Sequence, residues 1–212
     1  MTHHLSCKEL FAQNKVIPVV MLNDINTAVT IAHALLQGGI SIIEVTLRTP
    51  NALAIIHTLS KEVPEMIVGA GTILNDEQYH SAVAYGAKFI VSPGLTDELA
   101  KVSAAYPIPF LPGAITPTEI MQALLHGFEY LKFFPAESYN GYNTLKALSA
   151  PFAQAKFCPT GGINLDNMHK YLSLHNVVGV GCGYLVNEDL VKQGNFSQIT
   201  NLANQAVEIS NE

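Results

Sequence analysis

Residues 88–94 read Lys-Phe-Ile-Val-Ser-Pro-Gly, a short apolar run that ends in Pro-Gly. Three later runs end in a similar way, with Phe-Leu-Pro112-Gly, Phe-Phe-Pro135-Ala and Phe-Cys-Pro159-Thr-Gly-Gly. Because proline cannot donate a hydrogen bond to a sheet ladder, it suits the end of a strand. The shared ending therefore predicts four equivalent strands, each leading into a loop.

Similar apolar runs recur about every 20 to 25 residues, and a longer amphipathic segment follows each of them. Continuous apolar runs are typical of parallel strands that are covered on both faces. The predicted strands lie at residues 16–21, 40–45, 66–68, 88–91, 108–111, 130–134, 156–158 and 177–180.

Capping residues mark the starts of the intervening helices. Asp24 begins a predicted helix over residues 24–37, and Gly38-Gly39 ends it. Asn75, Thr96 and either Thr116 or Thr118 stand at equivalent starts.

Eight strand–helix units in about 200 residues favour an α/β (β/α)8 TIM barrel, since an open doubly wound sheet usually needs five or six strands. We expect a single domain over residues 1–212, with a short N-terminal helical segment at about 3–14.

The composition excludes several classes of protein and partner. Apolar residues make up 49% and charged residues 13% of the 212 residues, which excludes a disordered chain. No uncharged apolar run reaches the length of a membrane span, so no membrane partner is expected. The net charge of −6 argues against a nucleic-acid partner but leaves a small anionic substrate possible.

Cysteines and histidines give no sign of a disulfide framework or a metal site. There are three cysteines, an odd number, and none of the eight histidines shows a ligand spacing. The N-terminus lacks a signal-peptide pattern, so the expected location is cytoplasmic.

Two charged residues stand inside predicted strands. Glu44 lies near the end of the second strand, and Lys132 lies deep in the sixth. Lys88 and Lys156 also precede phenylalanine, but they begin their strands, where a side chain reaches solvent. Burial favours the neutral, nucleophilic amine of a lysine. The alternatives are an ion-paired or rim-exposed carboxylate for Glu44 and a strand lysine paired with a glutamate for Lys132.

Arg48, the only arginine in the chain, follows Glu44 by four residues. Its planar guanidinium matches a carboxylate in a bidentate way, although a surface ion pair is the alternative.

Glycine-rich segments stand at the ends of three predicted strands. Gly69-Ala-Gly71-Thr72 follows the third strand, Thr160-Gly161-Gly162 follows the seventh, and Gly179-Val-Gly181-Cys-Gly183 closes the eighth. Barrels often bind phosphate with loops after strands seven and eight, although each Gly-x-Gly alone also fits an ordinary turn. No dinucleotide fingerprint is present. The combination predicts imine chemistry on a phosphorylated keto acid, with no metal and no cofactor.

Several long motifs carry a resemblance to a known family. They are Gly39–Thr49, Ile67–Leu74, Val91–Leu95, Leu131–Glu137 and Phe157–Ile163. On these motifs the chain resembles the bacterial 2-keto-3-deoxy-6-phosphogluconate (KDPG) and 4-hydroxy-2-oxoglutarate (KHG) aldolases from about Val16 to the C-terminus. The resemblance implies a homotrimeric, metal-independent class I aldolase of the Entner-Doudoroff pathway.

The resemblance also implies roles for individual residues. Lys132 matches the imine-forming lysine and Glu44 the general acid–base. Arg48 and Thr72 match residues that bind the pyruvate carboxylate. Pro93 and Phe134 are expected to line the pocket, and the expected phosphate region comprises Thr160, Gly161, Gly162, Gly181 and Gly183.

Two departures concern the aldehyde half of the substrate. The family commonly has Gly-Gly-Ser-Trp where this chain has Gly181-Cys182-Gly183-Tyr184, and the loop over residues 138–144 is a few residues longer. A lost serine hydroxyl removes a hydrogen bond to phosphate, worth about 1.5–3 kcal/mol. Preference for unphosphorylated 4-hydroxy-2-oxoglutarate is therefore one alternative, and a keto-acid binding barrel without turnover is another.

Overall fold

The computed structural model describes residues 5–212, in which eight strands alternate with helices in an α/β arrangement. The strands are β1 (Val16–Val20), β2 (Ile42–Thr46), β3 (Ile67–Gly71), β4 (Phe89–Val91), β5 (Phe110–Leu111), β6 (Tyr130–Phe133), β7 (Lys156–Pro159) and β8 (Val180–Cys182). The helices are α1 (Cys7–Gln13), α2 (Ile25–Gln37), α3 (Ala52–Glu62), α4 (Asp76–Ala84), α5 (Asp97–Ser103), α6 (Pro117–Leu125), α7 (Gly141–Leu148), α8 (Met168–Leu172), α9 (Glu188–Lys192) and α10 (Phe196–Asn211).

All of the strand pairs are parallel. Six strands form a curled sheet in the order β5-β4-β3-β2-β1-β8, and β6 pairs with β7. Isolated bridges connect the β6–β7 pair to its neighbours, between Gly113 and Lys132 on one side and between Thr160 and Gly181 on the other. The architecture is thus a curled parallel sheet, a half-barrel with helices packed outside it.

Burial explains why the strands read as continuous apolar runs. Every residue of β2 is buried, as both faces of a covered parallel strand should be. The helices begin at the predicted caps: the Asp24 side chain accepts from the Thr27 N–H at 2.7 Å. Thr116 rather than Thr118 caps α6 and forms a capping box with Glu119.

The N-terminal helix is shorter than predicted. It begins at Cys7, capped by Ser6, and ends at Gln13. Residues 3 and 4 of the predicted segment lie outside the described residues. Phe11 of this helix is buried and stacks on Tyr130 at the start of β6, with 6.1 Å between ring centroids. The helix therefore packs at the N-terminal end of the strands.

Two predicted strand boundaries are wrong, and the others differ by at most two residues at either end. β3 extends to Gly71 instead of ending at residue 68, and β8 begins at Val180 instead of residue 177. Gly69, Gly71 and Gly181 are therefore strand residues. A Cβ on Gly69 would lie 2.2 Å from the Phe89 ring, and one on Gly181 would lie 2.3 Å from Thr160 Oγ1. These glycines make room for side chains of neighbouring strands. The local sequence does not show which side chains those are, so it could not place the glycines inside strands.

No helix in residues 5–212 combines the length and the apolar character needed to cross a membrane.

Candidate active site

A lysine and a glutamate face each other in the protein interior. Lys132 Nζ on β6 donates to Glu44 Oε1 on β2 over 3.0 Å. The side chains are 8% and 3% exposed, respectively. In contrast, Lys88 is exposed and Lys156 is half-buried, which agrees with the prediction that these two lysines begin their strands. Lys132 is thus buried beside a single carboxylate.

Strand register places the two groups. Glu44 occupies the centre of β2, between Val19 of β1 and Gly69 of β3. Lys132 pairs with Cys158 of β7, and its N–H donates to Pro112 O at 2.9 Å. Both backbones are therefore held by a ladder on each side, which fixes the direction of each side chain.

Gly71 leaves the space that the Glu44 carboxylate fills. A Cβ on Gly71 would lie 2.1 Å from Glu44 Oε1, a separation that no pair of real atoms tolerates. The glycine at this position is therefore part of the site, although it carries no functional group.

Because the pair is buried, the stability of each charged side chain depends strongly on the presence of the other. Removing one partner from a buried ion pair leaves an uncompensated charge and costs about 3–5 kcal/mol. The short Nζ–Oε1 contact also suits proton transfer, because a general base must lie within hydrogen-bond reach of the proton that it takes.

Cys158 is the other potential nucleophile beside Lys132. Burial raises the pKa of its thiol to about 12, with a smaller opposing effect of the Lys132 charge. Because the thiolate is the reactive form of cysteine, this thiol is inert at neutral pH. The amine of Lys132 is therefore the candidate nucleophile in this part of the interior.

The end of β2 and the loop after it are fixed by hydrogen bonds to β1, to the segment after β1 and to β3. Thr46 Oγ1 donates to Val20 O at 2.8 Å, Thr49 Oγ1 to Leu22 O at 2.5 Å, and Leu47 N to Gly71 O at 2.8 Å. Arg48 lies on this loop with an exposed side chain. Within residues 5–212 no carboxylate forms an ion pair with Arg48, so its guanidinium is available to a bound anion.

A pocket of about 380 Å³ contains most of the predicted site residues. Its lining includes Arg48, Phe134, Thr160, Gly161, Gly162 and Gly183. Phe134 connects the pocket to the buried pair, because its ring centroid lies 5.5 Å from Lys132 Nζ.

Sequence reasoning did not identify four further lining residues, Val19, Ile163, Asn164 and Tyr184. Ile163 and Tyr184 directly follow predicted glycines, and Asn164 lies two residues after one. Proximity to those glycines was the available signal. Val19 belongs to β1 and reaches the pocket only through the fold.

The Gly161–Gly162 turn offers free backbone donors. Both residues adopt positive φ values, +98° and +79°, which favour glycine. Their carbonyls accept hydrogen bonds from Glu137 N at 3.1 Å and Asn167 Nδ2 at 2.9 Å. Within the described chain, the N–H groups of Gly161, Gly162 and Ile163 have no acceptor. Consecutive free N–H groups in such a turn form a concave site for an anion.

Besides Lys132 and Glu44, three predicted residues lie outside the lining of that pocket. Gly181 belongs to β8 and gives space to Thr160. Thr72 follows β3 and lines no part of this pocket, but its φ of 59° is unusual for a β-branched residue. Strained backbone of this kind clusters at functional sites. Pro93 lines a separate pocket of about 380 Å³ together with Leu95 and Ile115.

No metal-binding group was found: residues 5–212 contain no cluster of three or more His, Cys, Asp or Glu side chains placed to hold an ion.

Comparison with known proteins identifies the family to which the chain belongs. The sequence profile described as KDPG and KHG aldolase matches residues 7–202. The KHG/KDPG aldolase of Escherichia coli K12 is 43% identical over 203 residues, covering 96% of this chain and 95% of the relative. A 2-dehydro-3-deoxy-phosphogluconate aldolase of Dickeya dadantii is 42% identical over 202 residues, covering 95% of each chain.

Solved structures agree with the sequence matches. The KDPG aldolase of Legionella pneumophila, captured with pyruvate as a covalent carbinolamine intermediate, superposes with a TM-score of 0.91 at 43% identity, covering 93% of this chain and 96% of the other. The aldolase of Zymomonas mobilis with 3-phosphoglycerate gives 0.88 at 39% identity, with 94% and 93% covered.

Replacing Gly71 with alanine should displace the Glu44 carboxylate from Lys132. We expect Gly71→Ala to lower kcat for cleavage of the relatives' substrate by about 10²–10⁴-fold, the usual contribution of a positioned acid–base group. Gly94→Ala is the matched control, because a Cβ at Gly94 meets no atom within 4 Å. A Gly71→Ala protein with the kcat of the wild type would contradict this role.

Proposed function

Because the chain belongs to the KDPG and KHG aldolase family, we propose that it is a class I aldolase that cleaves 2-dehydro-3-deoxy-6-phosphogluconate into pyruvate and glyceraldehyde 3-phosphate. The observation that carries the mechanism is the buried Lys132 Nζ lying 3.0 Å from Glu44 Oε1. The protein is a lyase, as its named relatives are, which argues against a binding barrel without turnover.

Imine formation begins with proton transfer from Lys132 Nζ to Glu44, which leaves a neutral amine. The amine attacks the C2 carbonyl of the substrate and gives a carbinolamine. Glu44 returns the proton to the departing hydroxyl, so water leaves and an iminium forms on Lys132. The covalent carbinolamine held by the Legionella pneumophila relative is the corresponding state in that protein.

Carbon–carbon cleavage uses the same two groups. Glu44, again a carboxylate, takes the proton of the C4 hydroxyl while the C3–C4 bond breaks. The bonding electrons pass to the iminium, which becomes an enamine of pyruvate, and glyceraldehyde 3-phosphate departs. Protonation of the enamine at C3 and hydrolysis release pyruvate and restore Lys132. Each step balances without a metal or a cofactor.

The two charged ends of the substrate have separate partners in this proposal. Arg48 and Thr72 bind the carboxylate next to C2, and Arg48 has no protein carboxylate to compete with it in the described part of the chain. Thr160, Gly161, Gly162, Gly181 and Gly183 form the phosphate region, supported by the free N–H groups of the glycine turn. Phe134 lines the space between the two ends of the substrate, and Pro93 lines the approach to that space.

The finer structural expectations belong to the same proposal. The bridges on both sides of the β6–β7 pair favour closure of the half-barrel into a (β/α)8 barrel formed by one domain over residues 1–212. A homotrimer, a cytoplasmic location and a place in the Entner-Doudoroff pathway rest on family resemblance.

The proposal is tested with variants of the lysine. We expect kcat of Lys132→Ala to be at least about 10³-fold lower than that of the wild type, because no other group forms the imine. Lys132→Arg keeps a positive charge beside Glu44 but cannot lose its proton, so it should be equally inactive while folding is preserved. Pyruvate release in a coupled assay is the measurement.

Lys156→Ala is the matched control, since this lysine also precedes a phenylalanine but its Nζ donates to His175 O, at 3.4 Å. Wild-type turnover by Lys132→Ala, or loss of activity in Lys156→Ala alone, would refute the assignment.

A second candidate is preference for 4-hydroxy-2-oxoglutarate, which is favoured by the missing side chain at Gly183. A Cβ there would meet only Val19 O, at 3.5 Å, so the position has room for a hydroxyl that this chain does not supply.

Gly183→Ser should therefore be tolerated and should raise kcat/KM for the phosphorylated substrate by about ten-fold, the value of one hydrogen bond to a charged group. Cleavage of 4-hydroxy-2-oxoglutarate should stay unchanged, and the ratio of kcat/KM for the two substrates is measured for both proteins. Equal gains on both substrates would show that position 183 does not contact phosphate.

A further inference from the structure

We propose that Tyr171 and Glu137 are positioning residues that hold the Gly161–Gly162 turn open for an anion. This inference rests on the proposed function and extends it, because it assigns the phosphate affinity of the site to a pair of side chains behind the pocket. Neither residue lines the pocket that contains Arg48 and Gly183.

Tyr171 is anchored before it meets Glu137. It lies on α8 and is only 1% exposed. Its ring packs edge-on against Tyr142, with 6.5 Å between centroids. Its hydroxyl donates a short hydrogen bond to Glu137 Oε1. The carboxylate is thus held by a group that cannot easily move.

Glu137 contacts the turn in two ways. Its N–H donates to Gly161 O at 3.1 Å, and a Cβ on Gly162 would lie 2.6 Å from its Cγ. The aliphatic part of Glu137 therefore supports the turn from behind, while its backbone fixes the carbonyl of Gly161. The direction of the free N–H groups depends on where Glu137 lies.

The charge of Glu137 is unfavourable beside an anion unless it is held away. Within the described chain Glu137 forms no ion pair, and the Tyr171 hydroxyl is the partner that restrains it. Burial, followed by the contact with Glu137, raises the pKa of Tyr171, so the hydroxyl stays a donor throughout the neutral range. Loss of this one hydrogen bond would free a negative group next to the anion site.

The test compares a phosphorylated and an unphosphorylated substrate. In Tyr171→Phe we expect KM for 2-dehydro-3-deoxy-6-phosphogluconate and the inhibition constant of inorganic phosphate to rise about ten-fold. The value of kcat, and kcat/KM for 4-hydroxy-2-oxoglutarate, should stay within about two-fold of the wild type. Tyr142→Phe removes a phenol hydroxyl from the same cluster without touching Glu137 and should change none of these values.

A second variant separates positioning from general damage to the fold. Glu137→Gln keeps an acceptor for Tyr171 and removes the charge, so KM for the phosphorylated substrate should stay within about three-fold of the wild type. Adding Glu137→Gln to Tyr171→Phe should recover part of the lost phosphate affinity, because the freed side chain is then neutral.

The outcomes distinguish this inference from the proposed function. A wild-type protein that cleaves neither substrate contradicts the aldolase itself. A wild-type protein that cleaves both, with Tyr171→Phe weakening both equally or neither, overturns only the role of Tyr171 and Glu137. Failure of inorganic phosphate to inhibit the wild type also overturns it.

Discussion

Lys132 and Glu44 lie 3.0 Å apart in an interior from which water is almost excluded, and much of the structure is arranged around that contact. Two charges are costly to bury separately, and they are tolerated because each offsets the other. In the proposed mechanism this proximity also serves the chemistry, since the proton that stabilises the pair in the resting state must move before the amine can attack a carbonyl.

The surrounding strands make this contact possible because they place neither a bulky side chain nor a competing charge next to it. Gly71 leaves space for the Glu44 carboxylate, and the neutral thiol of Cys158 lies beside Lys132 without competing for its charge. Farther out, Thr46 donates to the last residue of β1 and Thr49 to the loop after it, and these hydrogen bonds hold the loop of Arg48. The Lys132–Glu44 pair therefore lies on strands, whereas most of the groups proposed to bind substrate lie on the loops after them.

Much of this was predictable from local sequence. A lysine among bulky apolar residues and a glutamate inside an apolar strand both signal a buried charge, and the structure places them together. The strand positions of Gly69 and Gly71 were not predictable, because their partners, Phe89 and Glu44, belong to other strands. Val19 was not predictable as a pocket residue for the same reason, because its partners lie in other parts of the chain. The contact between Glu137 and Tyr171 was not predictable either, because the two residues are separated by 34 positions.

The central claim is that Lys132 is the nucleophile that forms an imine with a 2-keto acid. Its most direct test is borohydride reduction of the full-length protein with pyruvate, followed by peptide mass spectrometry. The account predicts a reduced pyruvate adduct on Lys132, absent when pyruvate is omitted. An adduct on another lysine, such as Lys156, or no adduct under conditions where the protein is folded, would contradict it.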